Sequence, residues 1–273
     1  MATRLTPLRV DVSAEVALSG VAQGRPDGTP ILLLHGYTDS WRSYEPLLAA
    51  LPDSFRVVAL SQRGHGDSTK PETTYRLRDF ANDLWAAMNE LTFERAIVVG
   101  HSMGSLIATR FTLDHPDCVS GLGLIGAFPT LKGNRAADEL WRYGVSTLSD
   151  PVDPGFVRAF QKSTLARPVP PSFLATVIAE SRKVPAFVWR RALRAMLNED
   201  FSGELGSIAV PTLIIWGDQA GFSGRDEQAR FLDALPHAVF AMHQGAGHAP
   251  HWEDPARVAA ELASFITARP SAG

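Results

Sequence analysis

Short runs of apolar, β-prone residues recur along the chain with intervals that, in all but one case, suit a single helix. No other feature restricts the fold as strongly. The runs are ILLL (Ile31–Leu34), FRVVAL (Phe55–Leu60), RAIVVG (Arg95–Gly100), VSGLGLIG (Val119–Gly126), TLIIWG (Thr212–Gly217) and HAVFAM (His237–Met242). They are continuous rather than alternating, the pattern of strands covered on both faces, so the sequence predicts an α/β fold around a mostly parallel sheet. An earlier pair near Leu8–Val12 and Glu15–Leu18 predicts an antiparallel edge and a sheet of the eight-stranded type. Leu77–Leu91 places Phe80, Leu84, Trp85, Met88 and Leu91 at helical spacing. The exceptional interval runs from Ala127 to about Val210 and carries no convincing strand. Its helical segments, Ala136–Leu148, Gly155–Thr164, Pro171–Ser181 and Pro185–Leu197, are punctuated by Pro and Gly. We therefore expect a core built from residues 1–127 and 209–273 with a helical lid inserted at 128–208.

The 273 residues, 45% apolar and 20% charged, can bury a large core as one domain carrying an insertion. A formal charge of −3 supplies no basic footprint, which argues against a nucleic-acid partner. The start, MATRLTPLRVDV, has no apolar signal core, and ILLL is far too short to span a bilayer. The expectation is a soluble, cytoplasmic protein without a membrane partner; oligomeric state is not legible. Cys118 is the single cysteine, so no internal disulfide can form, and a small, buried apolar role fits it best.

The strand ending at Val99 runs into GHSMG (Gly100–Gly104), and a helix follows to before Pro116. Strand, turn and helix in this order make G-x-S-x-G a nucleophile elbow. Ser102 would be strained and exposed there, with Gly100 and Gly104 leaving room where side chains would clash. The unpaired amides and positive dipole end of the helix would face an oxyanion. A Ser that merely caps the helix would not explain the paired glycines.

With LLLHGYTDSW (Leu32–Trp41), SQRGHGDS (Ser61–Ser68) and GAGHAPHWEDP (Gly245–Pro255) in order at strand ends, the chain resembles the α/β-hydrolase fold superfamily over nearly its whole length. The resemblance implies that His248 is the base, taking the Ser102 proton on Nε2 and returning it to the leaving group. It also implies an oxyanion hole from the amides of Tyr37, which follows His35–Gly36, and Met103. His35, His65 and His101 read as bracing residues, and His243 as a strand-end packing or hydrogen-bonding group. His251 lies three residues past His248, but Pro250 breaks helical spacing and no metal or other cofactor is expected. Glu253 and Asp254 read as braces of the His248 loop.

In such hydrolases the acid that orients the His often stands three residues after the Gly ending the strand that matches TLIIWG. Here Gly217 is followed by Asp218, Gln219 and Ala220, so Ala220 holds the acid's position. Asp218 is the fallback, although two residues of extended chain span roughly 6.5 Å, beyond a hydrogen bond's tolerance. Its alternative role is local, bonding its own turn. Asp226 and Glu227 need a longer excursion, and GLGLIGAF after the preceding strand carries no acid. Because every other element is intact, a deliberate Asp→Ala substitution fits better than a lineage drifting away from catalysis.

In the lid, Trp141, Tyr143, Phe156, Phe160, Phe173, Phe187 and Trp189 either glue helices to the core or line a pocket for an apolar or aromatic substrate. Phe128, Trp141, Phe187 and Trp189 are the candidate substrate contacts. Arg182, Lys183, Arg190, Arg191 and Arg194 read as a solvated face. The resulting expectation is a cofactor-independent serine hydrolase for a small-molecule carboxylic ester or lactone, impaired by Ala220. A carbon–carbon bond hydrolase, a cofactor-free perhydrolase and a non-catalytic ligand-binding protein are the alternatives. Ser102 argues against relatives with an Asp nucleophile, such as epoxide hydrolases and haloalkane dehalogenases.

Overall fold

The computed structural model describes residues 5–268, so the outermost residues of the expected core segments lie outside that range. Strands β1 (Thr6–Asp11), β2 (Ala17–Gly24), β3 (Thr29–Leu34), β4 (Phe55–Leu60), β5 (Ala96–His101), β6 (Val119–Ile125), β7 (Thr212–Gly217) and β8 (Val239–His243) form one eight-stranded sheet, in the order β1-β2-β4-β3-β5-β6-β7-β8. The β1–β2 and β2–β4 pairings are antiparallel and all others parallel. Side chains alternate between the two faces. Leu32 and Leu34 enter one apolar cluster, and Ile31 and Leu33 enter the other.

Helices α1 (Glu45–Ala50), α2 (Leu77–Glu90) and α3 (Met103–Asp114) connect the first strands. Between β6 and β7 the chain forms α4 (Arg135–Tyr143), α5 (Pro154–Ser163), α6 (Pro171–Ser181) and α7 (Ala186–Asn198), the helical insertion. Helices α8 (Arg225–Ala234), α9 (Pro250–Glu253) and α10 (Pro255–Thr267) complete the described chain. The first cluster packs α2, α3 and the insertion on one side of the sheet, and the second packs α1 and α10 on the other. None of the described helices is long and apolar enough to cross a membrane.

Two sequence expectations change here. Trp85, counted on the buried stripe of α2, is 46% exposed and stacks on His115 at 5.8 Å, because its position lies at the margin of that stripe. Cys118 is only partly buried at the edge of the first cluster.

The turn from β5 to α3 is where local sequence and packing meet. Ser102 sits at φ 52°, ψ −114°, immediately before α3, and its side chain makes no capping hydrogen bond to that helix. A Cβ on Gly104 would lie 2.1 Å from the Leu34 carbonyl oxygen, and one on Gly100 would lie 2.1 Å from that of Gly104. Backbone therefore packs on backbone at the start of α3, an approach only glycine permits.

Candidate active site

Ser102 and His248, 146 residues apart, meet beneath the insertion with Ser102 Oγ 2.9 Å from His248 Nε2. His248 lies in the loop between β8 and α9. Its amide donates to the Thr164 carbonyl at 2.8 Å. Glu253 braces the same loop, accepting from the Gly247 amide at 3.0 Å and the Ala166 amide at 2.7 Å. Asp254 does something else: it caps α10 through the Arg257 amide. The His248 ring lies parallel to Phe128 at 6.2 Å and beside Phe222 at 5.6 Å. Burial among these groups holds the imidazole down at about 4, so the ring is neutral at physiological pH.

For Nε2 to accept the serine proton, Nδ1 must carry the ring's own proton. That buried Nδ1 has no hydrogen-bond partner among the described residues. Asp218 is tied to its own corner, accepting from the Gly245 amide at 2.6 Å and from Gln219 at 3.2 Å. Glu227 caps α8 and accepts from Asn134, and Asp226 is exposed. After β6, Gly126 has φ 53°, and a Cβ there would lie 2.3 Å from the His248 carbonyl oxygen, so Gly126 itself leaves no room for an acid. Ala220 is half-buried in the β7 loop, its amide bonded to the Gly217 carbonyl.

The loop carrying Tyr37 is held by His35, whose Nδ1 lies 2.8 Å from the Gly36 carbonyl oxygen and whose Nε2 accepts from the Gln62 amide at 2.9 Å. Met103 is the first residue of α3, so its amide has no carbonyl four residues back within the helix. His101 Nε2 lies 3.1 Å from the His248 carbonyl oxygen, His65 Nδ1 lies 2.8 Å from the Arg63 carbonyl oxygen, and His243 pairs with Glu261 at 2.8 Å. Neither ring nitrogen of His251 has a hydrogen-bond partner among the described residues; the ring is fully buried against His101 at 4.4 Å. No group of three or more metal-ligating side chains occurs among the described residues.

A narrow cavity reaches Ser102 and His248, and its apolar wall includes Phe128, Leu131, Leu140, Leu193, Met196 and Phe222. Of the four candidate substrate contacts, Phe128 alone lies on this wall. Trp141 and Phe187 lie elsewhere: Trp141 lines an outer groove under Arg194, and Phe187 packs against Tyr75 and Arg191. Trp189 is fully buried among Tyr37, Phe156 and Phe160, where it joins the insertion to the core. Trp189→Ala should therefore lower the free energy of unfolding by about 3–5 kcal/mol, measured in urea. The basic residues of the insertion stay off the cavity wall: Lys183 pairs with Glu180 and Asp67, Arg190 bonds the Leu148 carbonyl and Arg191 the Thr73 carbonyl.

Three polar residues on the wall, Asp39, Gln161 and Thr164, lie outside the sequence candidates. An acid two residues after Tyr37 in a strand-end loop was the available signal for Asp39; helical spacing alone gave none for Gln161. Burial lifts the Asp39 carboxyl to about 7 despite hydrogen bonds from Gln161 and the Gly36 backbone. It also holds His65 at about 4 and His251 at about 3, and keeps His35 and His101 well below the usual imidazole range.

The unfolded chain protonates these histidines below about pH 6.5, whereas the folded chain holds His65 and His248 neutral down to about 4 and His251 to about 3, with His35 and His101 also well below their usual range, so stability falls as pH falls below about 6.5. Asp39 acts in the opposite sense, because the folded state holds its proton up to about 7 while the unfolded state releases it near 4. Burial also raises the Asp83 and Glu199 carboxyls, and the five histidines outweigh these three acids. The urea midpoint should drop between neutral pH and about pH 5, by several kcal/mol in unfolding free energy.

The family model for the alpha/beta hydrolase fold matches residues 29–192. An uncharacterised protein of Mycobacterium tuberculosis is 28% identical over 253 residues, covering 84% of this chain and 73% of its own. The 2-(acetamidomethylene)succinate hydrolase of Mesorhizobium japonicum is 36% identical over 124 residues, 45% of this chain and 44% of its own. A solved structure of E-2-(acetamidomethylene)succinate hydrolase superposes with a TM-score of 0.82 at 25% identity, covering 97% of this chain and all of its own. A bromoperoxidase from Bacillus anthracis, at 23% identity, shares the fold with a TM-score of 0.87 over 96% of this chain and 100% of its own.

Proposed function

The chain belongs to the α/β hydrolase fold family, and within it we propose a serine hydrolase that cleaves a carboxylic ester or lactone with an apolar or aromatic acyl part. The observation that carries this reading is the 2.9 Å contact between Ser102 Oγ and the buried, neutral His248 Nε2 at the floor of an apolar cavity. Ser102 Oγ attacks the carbonyl carbon while His248 Nε2 takes its proton. The Tyr37 and Met103 amides hold the oxyanion, each such donor being worth about 3 kcal/mol. His248 then protonates the leaving alkoxide, and water, deprotonated by the same nitrogen, releases the acyl group.

With Ala220 at the acid's usual place, the imidazolium formed in both steps has no carboxylate beside Nδ1, and turnover of this form is slow. One observation favours a second reading, a ligand-binding protein on the same scaffold: the partnerless Nδ1 of His248. A fluorophosphonate probe with peptide mapping, run beside a panel of esters and lactones, separates the two. The hydrolase reading expects adduct on Ser102 and turnover of neutral, apolar esters or lactones. No adduct in this form or in Ala220→Asp would leave the binding-protein reading standing.

A further inference from the structure

Tyr37, Thr38 and Asp39 follow one another in the loop after β3, and each is hydrogen-bonded to a different helix of the insertion. The Tyr37 hydroxyl donates to the Trp189 carbonyl of α7 at 2.5 Å. Ser181, the last residue of α6, donates its hydroxyl to the Thr38 carbonyl at 2.9 Å, and its oxygen lies 3.2 Å from Thr38 Oγ1. Gln161 of α5 places Nε2 2.9 Å from Asp39 Oδ1 and 2.6 Å from Ser181 Oγ, using both hydrogens of its amide. All of these side chains are buried.

Thr38 stands at φ 64°, a left-handed conformation that is a true outlier for a β-branched residue and costs on the order of 1–3 kcal/mol. Such a conformation persists only where its surroundings over-determine it. Here the groups that bind Thr38 come from the insertion through Ser181, and the residue whose amide direction depends on that turn is Tyr37. The insertion supplies Leu140, Phe160, Gln161, Leu193 and Met196 to the cavity wall over Ser102, so a shift of the insertion to seat a substrate pulls on all three hydrogen-bonded residues at once.

We propose that Ser181 and Gln161 are positioning residues through which the insertion holds the Tyr37 amide in the oxyanion hole, so that seating the insertion over a substrate and completing the hole are one event. This rests on the serine-hydrolase reading. Ser181 is the cleaner probe, because it is not on the cavity wall while Gln161 is.

The test compares Ser181→Ala with Val177→Ala, a buried position one turn earlier on α6 that takes no part in these hydrogen bonds. Both are made in the full chain, with and without Ala220→Asp. Ser181→Ala should lower kcat on a small aryl ester and the rate of fluorophosphonate labelling by about tenfold or more, with KM within about twofold. Val177→Ala, at a comparable loss of Tm, should leave both rates within about twofold. Equal effects of the two substitutions, or a loss confined to KM, would overturn the proposal. Absence of any Ser102 adduct in both the parent chain and Ala220→Asp would instead remove the hydrolase reading, and the proposal with it.

Discussion

Ala220→Asp is expected to raise kcat/KM on an ester substrate by about 10³ to 10⁴, the scale of loss seen when triad acids are disabled elsewhere. The reason lies at His248 Nδ1, a buried ring nitrogen without a hydrogen-bond partner among the described residues. Such a group costs roughly 1–3 kcal/mol unpaired, and nothing selects the tautomer that leaves Nε2 free to accept the serine proton. A carboxylate at the position after Gln219 would accept that N–H, fix the tautomer and stabilise the imidazolium of the transition state. It would also change the pH profile. Burial now keeps the imidazole at about 4, so the acidic limb of kcat/KM should lie near that pH. An adjacent carboxylate raises the pKa, and the limb should move to higher pH in Ala220→Asp. Unchanged activity together with an unmoved limb would show that this loop does not serve His248.

Ser102→Ala should abolish fluorophosphonate labelling in either background, but its kinetic cost should depend strongly on which background carries it. Members of a triad act as a unit, so losses do not add. With Ala220→Asp in place, removing the Ser102 hydroxyl should cost about 10⁶ in kcat; in the parent chain, where the acid's contribution is already missing, only about 10² remains to be lost. Equal costs in the two backgrounds would mean that position 220 and Ser102 belong to separate functions. Parallel ester assays of the four chains measure both terms.

What was readable without coordinates follows from the range of the interactions concerned. Strands and the elbow obey local rules. Phe55–Leu60 and Thr212–Gly217 are predicted and observed with identical bounds, and Gly100 and Gly104 fall where backbone packs on backbone at 2.1 Å. Aromatic residues of the insertion are the opposite case. Trp141, Phe187 and Trp189 have the composition of a pocket wall, yet of the aromatic residues read as pocket liners Phe128 and Phe160 are the ones that join Leu131, Leu140 and Phe222 there. Spacing tells which side chains share a helix face. It does not tell which helix faces the nucleophile, since that depends on how four short helices pack across the sheet's edge. Trp85 went astray for a related reason: a residue at the margin of a stripe is buried or exposed according to its neighbour's reach.

The sequence by itself determined the fold class and the tight turn that carries Ser102, because each is written in short windows of chain, whereas the roles given to His248 and Ala220 are what the resemblance to the α/β-hydrolase superfamily implies. Only the tertiary structure decided that Nδ1 of His248 is left without an acceptor, that Asp218 is committed to the Gly245 amide, and that Asp39 faces Gln161. It also set the bonds from Ser181 and Gln161 to the Tyr37 loop, across separations of 143 and 122 residues. Hydrogen bonds of that reach have no local signature. They arise when a buried polar group must find a partner among whatever the packing brings near.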